Sequence, residues 1–430
     1  MRRWRTDGFS PLRRAIVVLV LLGALAAISF VAHAETLAVA TSSFSQERLK
    51  RVGDYVRNEV ATGSIPGAVV LIQQHGKPVL FESFGVRDVA TKTPMTPDTI
   101  FRLYSMSKPV TSVAAMMLVD DGKLALEDPL SKYIPAFADV KVAVETGGED
   151  GKPVLAIEPL KRPITIEDLL RHSSGFSYGF YGDSAVRRLY AHSDLFAGDV
   201  DNAGFVERLA KLPLAEQPGT RWDYGHSTDV LGRVIEVVSG KSLYEFEKER
   251  LLDPLGMRET AFHLPDGIPR DRVAEPLPAD RFGGPVAGLT DPILPRRWES
   301  GGAGMIGTIG DYARFAQMLL NGGELDGRRY LKRETVARMT SDHIGPGTGI
   351  ARDSFYFPGE DSDFGLGFAV RTTANPPLAL GEYRWDGVGG TFFFIDPRDD
   401  MFAIVMMQSP SQRGRIQTEL KMLVYQALQR

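Results

Sequence analysis

The sequence predicts an α+β fold: an antiparallel sheet flanked by helices, built from both ends of the chain, with a helical domain inserted between them. Three observations predict it. Strand patterns occur early, at 67–85, and again late, at 364–371, 392–395 and 402–407. The stretch between them carries helical periodicity and capping signals. That stretch also lacks the regular strand–helix alternation that a parallel sheet requires.

The chain opens with Arg2, Arg3, Arg5, Arg13 and Arg14, then an apolar run over 15–31 that ends in Ala32-His33-Ala34. A basic segment, an apolar segment and a small-x-small end predict a signal peptide over 1–34, cleaved after Ala34. A retained membrane anchor is the competing reading, because 17 residues only just span a bilayer. Cleavage leaves a chain over 35–430 with no stable membrane anchor, exported to the periplasm or the medium. Next, 67–74 and 79–85 flank a turn at His75-Gly76-Lys77-Pro78 and read as a hairpin. Thr165-Ile166-Glu167-Asp168 reads as a capping box that opens a helix through Arg171. Val230, Val234 and Val238 recur every four residues, and Gly240 fits a helix stop. Thr308-Ile309-Gly310-Asp311 reads as a second box, starting a helix through Leu320. The Pro- and Gly-rich span 264–295 is expected to be a surface excursion, and 411–428 a final helix. The sheet part is therefore drawn over about 44–100 and 298–430, the helical part over about 101–297.

Removing five arginines and one aspartate with the signal takes the formal charge from −4 to −8. A mildly acidic chain with no basic run gives no footprint for nucleic acid. Cysteine is absent, which excludes disulfides, thiolate metal sites, a cysteine nucleophile and a lipoprotein anchor together. The seven histidines show no metal-ligand spacing, and no metal or organic cofactor is expected.

Ser105-Met106-Ser107-Lys108 pairs a hydroxyl with an amine one helical turn apart. The residues from Pro109 to Val119 continue as a helix that Asp120-Asp121-Gly122 closes, and Pro109 is tolerated in a first turn. Positions i and i+3 share a helix face. A lysine there, its pKa lowered by burial, can take the serine proton and leave a nucleophile. Gly175-Phe176-Ser177-Tyr178-Gly179 offers a rival, since Gly-x-Ser-x-Gly is a nucleophile elbow. An elbow needs a strand before it and a helix after it. Here a capped helix precedes, and the glycine-rich aromatic run Phe180-Tyr181-Gly182-Asp183 follows. Ser177 is expected to be a turn residue.

Further motifs extend over most of the chain: Asp168-Leu169-Leu170-Arg171-His172-Ser173-Ser174-Gly175, then Trp222-Asp223-Tyr224 with Leu231-Gly232, then Gly301-Gly302-Ala303-Gly304 before Asp311. With Ser105-Met106-Ser107-Lys108 they resemble the serine β-lactamase and penicillin-binding superfamily, in particular class C β-lactamases and family VIII carboxylesterases. The resemblance implies a β-lactamase/transpeptidase-like fold and Ser105 as nucleophile. It also implies that Tyr224 shuttles protons, which asks for a phenol whose pKa falls beside cationic or polar groups. His226 stands where the lactamases have an asparagine. It is either a polar wall of the site or a surface histidine. Trp385-Asp386-Gly387 stands where the lactamases carry Lys-Thr-Gly on an edge strand. A lysine there attracts a substrate carboxylate, whereas Asp386 is expected to repel one. By the same resemblance, the amides of Ser105 and Val388 form the oxyanion hole. Phe176, Tyr178, Phe180, Tyr181, Trp385 and Phe392 cluster in sequence around these motifs. Some are expected to wall an apolar pocket, Phe176 and Tyr178 among them.

These readings converge on an exported serine carboxylesterase. It would cleave uncharged, short-acyl, small-molecule esters through an acyl-enzyme on Ser105, with Lys108 and Tyr224 handling the proton. The rivals are a β-lactamase or D-amino-acid peptidase on the same scaffold, and a silent module that only recognises cell-wall ligands.

Overall fold

A computed structural model describes residues 42–147, 153–281, 291–353 and 356–429. The expected signal segment and its cleavage point lie outside them, as does 282–290 of the expected excursion.

The early hairpin is β1 (Gly67–Gln74) and β2 (Lys77–Asp88). Its turn is tighter than the four residues expected. His75 and Gly76 alone make it, with φ of 52° and 69°, the conformation whose twist matches the strands it joins. β2 also pairs with the short β3 (Thr93–Pro94). The late strands are β4 (Ser362–Phe364), β5 (Ala369–Arg371), β6 (Tyr383–Asp386), β7 (Phe392–Asp396) and β8 (Met401–Met407). The eight strands run in the order β4-β5-β6-β7-β8-β1-β2-β3, and every neighbouring pair is antiparallel. The two ends of the chain meet inside the sheet, where β1 lies on β8 with Val70 opposite Val405.

The single strand expected over 364–371 is two. Gly365 donates to the Phe368 carbonyl at 2.8 Å, and Gly367 has a φ of 98°, so the chain folds back between β4 and β5. The apolar run hides this reversal; its two glycines betray it.

Both faces of the sheet are covered. Ala68, Val70, Ile72, Phe394 and Val405 pack on one side with α1 (Gln46–Ala61) and α6 (Arg413–Ala427). Val69, Leu71, Phe393, Ile395 and Ile404 pack on the other with α2 (Ser107–Asp120) and α5 (Ile309–Leu320). With water excluded from both faces, β8 is buried at every residue and its sequence shows no polar alternation. The helix expected from 411 begins as a 3₁₀ turn, Pro410–Gln412, before α6 proper.

Helices α3 (Ile166–Leu170) and α4 (Ser227–Ser239) belong to the inserted stretch. Thr165 and Asp168 form a complete capping box, and Gly240 ends α4 with a φ of 71°. The box expected at α5 is only half formed. Thr308 accepts from the Asp311 amide, but the Asp311 carboxylate turns to the Glu259 amide at 2.8 Å and the Thr260 hydroxyl at 2.9 Å. The described residues from Ser43 onward make one compact unit. Among the described residues no helix is long and apolar enough to cross a membrane.

Candidate active site

The nucleophile candidate is held by its neighbours. Tyr104 has a φ of 47°, which turns the chain sharply just before Ser105. Ser107, given no role by its motif, donates to the Tyr104 carbonyl at 2.7 Å and accepts from the Met305 amide at 3.0 Å. Tyr312 donates to the Met106 carbonyl at 3.1 Å. Ser105 is half-buried, while Lys108 and Tyr224 are buried. The serine is therefore the accessible member of the three.

Lys108 donates to Ser105 Oγ at 3.3 Å, to the Tyr178 hydroxyl at 3.2 Å and to the Gly302 carbonyl at 2.7 Å. Burial disfavours its charged form, and Asp229 and Asp386 only partly compensate, so its pKa falls from 10.5 to about 7. Near neutrality about half the amine is free to accept a proton.

Tyr224 lies 4.5 Å, ring centre to amine, from Lys108 and 5.3 Å from the Trp385 ring. Gly225 lets this segment close on the loop before it, since a Cβ there would stand 2.3 Å from the Phe176 carbonyl. The Tyr224 pKa does not fall as the resemblance implied. Burial pushes it well above the ordinary value, and Ser105 and Trp385, the polar groups beside the hydroxyl, offset this only in part. Among the described residues its hydroxyl makes no full hydrogen bond. Tyr178 is likewise raised by burial. Burial thus lowers the proton affinity of the amine and keeps both phenols protonated.

His226 is buried, which removes the surface alternative. Its Nδ1 lies 2.9 Å from Asp229, a residue that sequence reasoning missed. Asp229 also accepts from Ser300 Oγ at 2.6 Å and the Gly302 amide at 3.1 Å. Burial opposes its charge, but the His226 contact, the Lys108 charge and the Ser300 bond outweigh it and hold the carboxyl below its usual range.

The segment Trp385-Asp386-Gly387 ends β6, which lies inside the sheet between β5 and β7 and not at its edge. A Cβ on Gly387 would stand 2.3 Å from the Leu103 carbonyl, so glycine lets the turn into β7 press on the nucleophile segment. Among the described residues, no backbone hydrogen bond takes up the amide of Ser105 or Val388. The charge of Asp386, expected to repel a carboxylate, is partly offset. Arg413, at the start of α6, stands 3.7 Å away. Arg384 is committed elsewhere, to the Pro358 carbonyl at 2.7 Å and Ser362 Oγ at 2.8 Å.

Ser105, Tyr178, Phe180, Tyr181, Tyr224, His226 and Val388 line one narrow cleft of about 40 Å³. Phe196 and Trp298, unassigned by the sequence, complete its apolar wall, and Trp298 stacks on Phe205 at 4.7 Å. Three expected aromatics are not part of it, nor are Asp386 and Gly387: Trp385 is buried, with its ring against that of Tyr224, and does not reach the cleft. Phe176 is fully buried in the core, edge-on to Phe137 at 5.2 Å, and Phe392 packs on the sheet face that bears α1 and α6. Ser177 is also fully buried, 3.4 Å from Asp223, beside the buried ion pairs of Arg187 with Asp223 and Asp353.

The profile of the Beta-lactamase family matches residues 52–426. The chain belongs to the β-lactamase family. Esterase EstB of Burkholderia gladioli is 32% identical over 355 residues, covering 77% of this chain and 82% of EstB. Lovastatin esterase of Penicillium rubens is 31% identical, covering 81% of this chain and 90% of its own length. The structure of EstCE1, described as a hydrolase with promiscuous acyltransferase activity, superposes with a TM-score of 0.73. It is 27% identical and covers 88% of this chain and 99% of its own. This β-lactamase-family chain is a serine hydrolase, on a mixed fold with a large antiparallel sheet.

Proposed function

We propose that the chain is an exported carboxylesterase that works through an acyl-enzyme on Ser105. The observation that carries this reading is the accessible Ser105 hydroxyl 3.3 Å from an amine whose pKa is lowered to about 7. Neutral Lys108 takes the serine proton as Oγ attacks the ester carbonyl. The amides of Ser105 and Val388 then face the oxyanion. Collapse releases the alcohol as an alkoxide, which takes a proton from the Tyr224 hydroxyl, and the Lys108 ammonium restores that proton. Water attacks the acyl-enzyme in the same way, giving a proton to Lys108; collapse breaks the bond to Ser105 Oγ, frees the carboxylic acid and returns that proton to Ser105. The high pKa of Tyr224 suits a donor to an alkoxide better than a base acting on serine.

Neutral, short-acyl esters fit the cleft best, because its walls are aromatic and no lysine stands at 385–387. Asp386 contributes less repulsion than a lone carboxylate would, since Arg413 lies 3.7 Å from it. Export is inferred from the basic, apolar and small-residue order of 1–34. Hydrolysis of p-nitrophenyl esters of graded acyl length, measured beside a chromogenic cephalosporin, tests the reading. Esters should lead by at least about tenfold in kcat/KM, the lower end of what one missing charged hydrogen bond makes. A cephalosporin turned over as fast as the butyrate ester would favour a β-lactamase.

A second reading, acyl transfer to an alcohol, is favoured by the apolar cleft that faces Ser105. A new ester formed from the acyl-enzyme when a primary alcohol is added would support it.

A further inference from the structure

The motif Gly301-Gly302-Ala303-Gly304 has no part in the reaction scheme above, yet it holds the base. The 2.7 Å bond to the Gly302 carbonyl is the shortest of the three that Lys108 makes. That carbonyl is fixed from behind. Asp229 takes the Gly302 amide and the Ser300 hydroxyl on one oxygen and His226 on the other. Thr111, one turn beyond Lys108 on α2, donates to the Gly301 carbonyl at 3.1 Å. The glycines are needed for this approach. A Cβ on Gly302 would stand 3.0 Å and 3.1 Å from the two Asp229 oxygens, and one on Gly301 would stand 2.9 Å from both Thr111 and the Thr228 carbonyl.

We propose that Asp229 is a positioning residue for Lys108: its carboxylate anchors the Gly302 segment that holds the amine, and its charge acts on that amine from α4. The proposal rests on the reading of Ser105 and Lys108 as the reacting pair. The groups around the amine show why the charge of Asp229 counts. Tyr178 and Tyr224 stay protonated, because burial raises both. Burial and the Lys108 charge hold His172 well below its ordinary range, so it is neutral. Asp386 is partly neutralised by Arg413 at 3.7 Å. Asp229 has the neutral donors Ser300 and Gly302 and the His226 ring. Both carboxylates favour the ammonium, against burial.

The test is the rate at which a fluorophosphonate labels Ser105, followed by peptide mass spectrometry from pH 5 to 9, in the wild type, Asp229→Asn and Ser300→Ala. Asparagine keeps the shape and an acceptor oxygen but removes the charge. The rise of rate with pH should then move to lower pH by about one unit or more, the scale of losing an adjacent opposite charge. Ser300→Ala removes an anchor and no charge. Its midpoint should stay in place while its plateau rate falls at least about threefold, the scale of one lost hydrogen bond. A wild-type midpoint in folded Asp229→Asn, with Ser105 still labelled, overturns the positioning role and leaves the esterase reading standing. Should Asp229→Asn fail to fold, a wild-type plateau in Ser300→Ala overturns it instead. A wild type labelled nowhere on Ser105 overturns the reading beneath, and the proposal with it.

Discussion

Replacing Lys108 with methionine should remove activity and a measurable share of the pH dependence of stability at the same time. An amine lowered from 10.5 to about 7 is protonated far more weakly in the fold than in the unfolded chain. Between those two values the unfolded chain binds the extra proton, so stability rises with pH. Below about 7 both states are charged, and the full penalty of a buried ammonium applies. The whole difference is about 5 kcal/mol, and the part that develops between pH 6 and pH 9 is about 2–3 kcal/mol. Methionine fills similar space without a proton. Urea denaturation of wild type and Lys108→Met at the two pH values isolates this term as a difference of differences. The same titration should appear in the kinetics of the wild type. About a tenth of the amine is neutral at pH 6 and about nine-tenths at pH 8, so kcat/KM should rise roughly tenfold. If Lys108→Met gains as much stability from pH 6 to pH 9 as the wild type does, the amine is not the group that burial has shifted, and the argument for it as base fails.

Three further outcomes follow from the same geometry. Tyr224→Phe should lower kcat by at least about a hundredfold with little change in KM, because the hydroxyl handles a proton and does not dock substrate; steady-state kinetics with p-nitrophenyl butyrate decide it. Gly387→Ala places a Cβ 2.3 Å from the Leu103 carbonyl, so it should destabilise the fold by about 1–3 kcal/mol and slow acylation; a wild-type melting temperature would contradict that close approach. Arg413→Gln leaves Asp386 uncompensated, so the proton affinity of Lys108 should rise and the acid limb of kcat/KM should move to higher pH, opposite in sign to Asp229→Asn.

The parts of this protein legible in the sequence are those set by short-range spacing. One helical turn brings Lys108 to Ser105, Thr165 and Asp168 form a box three residues apart, and the early strands pair as a hairpin, though two residues and not four close it. The sheet was legible because both its ends carry apolar runs. Long-range partnerships were not. Arg413 reaches Asp386 only because α6 packs beside β6, and Asp229 meets Ser300 across 71 residues. No local pattern encodes either pair. Phe176 and Tyr178 are two residues apart in one loop, yet one is sealed in the core and the other touches the amine. Aromatic identity gave no way to separate them. The α1 helix could have been found, since Ser45 caps it and Leu49, Val52 and Val56 recur at helical spacing. The charge that tempers the expected repulsion by Asp386 lies on another element, α6, where no local pattern points to it.

The most direct test of the central claim is to trap the acyl-enzyme. Incubation of the purified protein with a slowly released p-nitrophenyl ester, an acid quench and peptide mass spectrometry locate the acyl group. The account predicts the added mass on Ser105, absent from Ser105→Ala and accumulating with the burst of p-nitrophenol. Acyl mass on Ser177, or full turnover by Ser105→Ala, would contradict it.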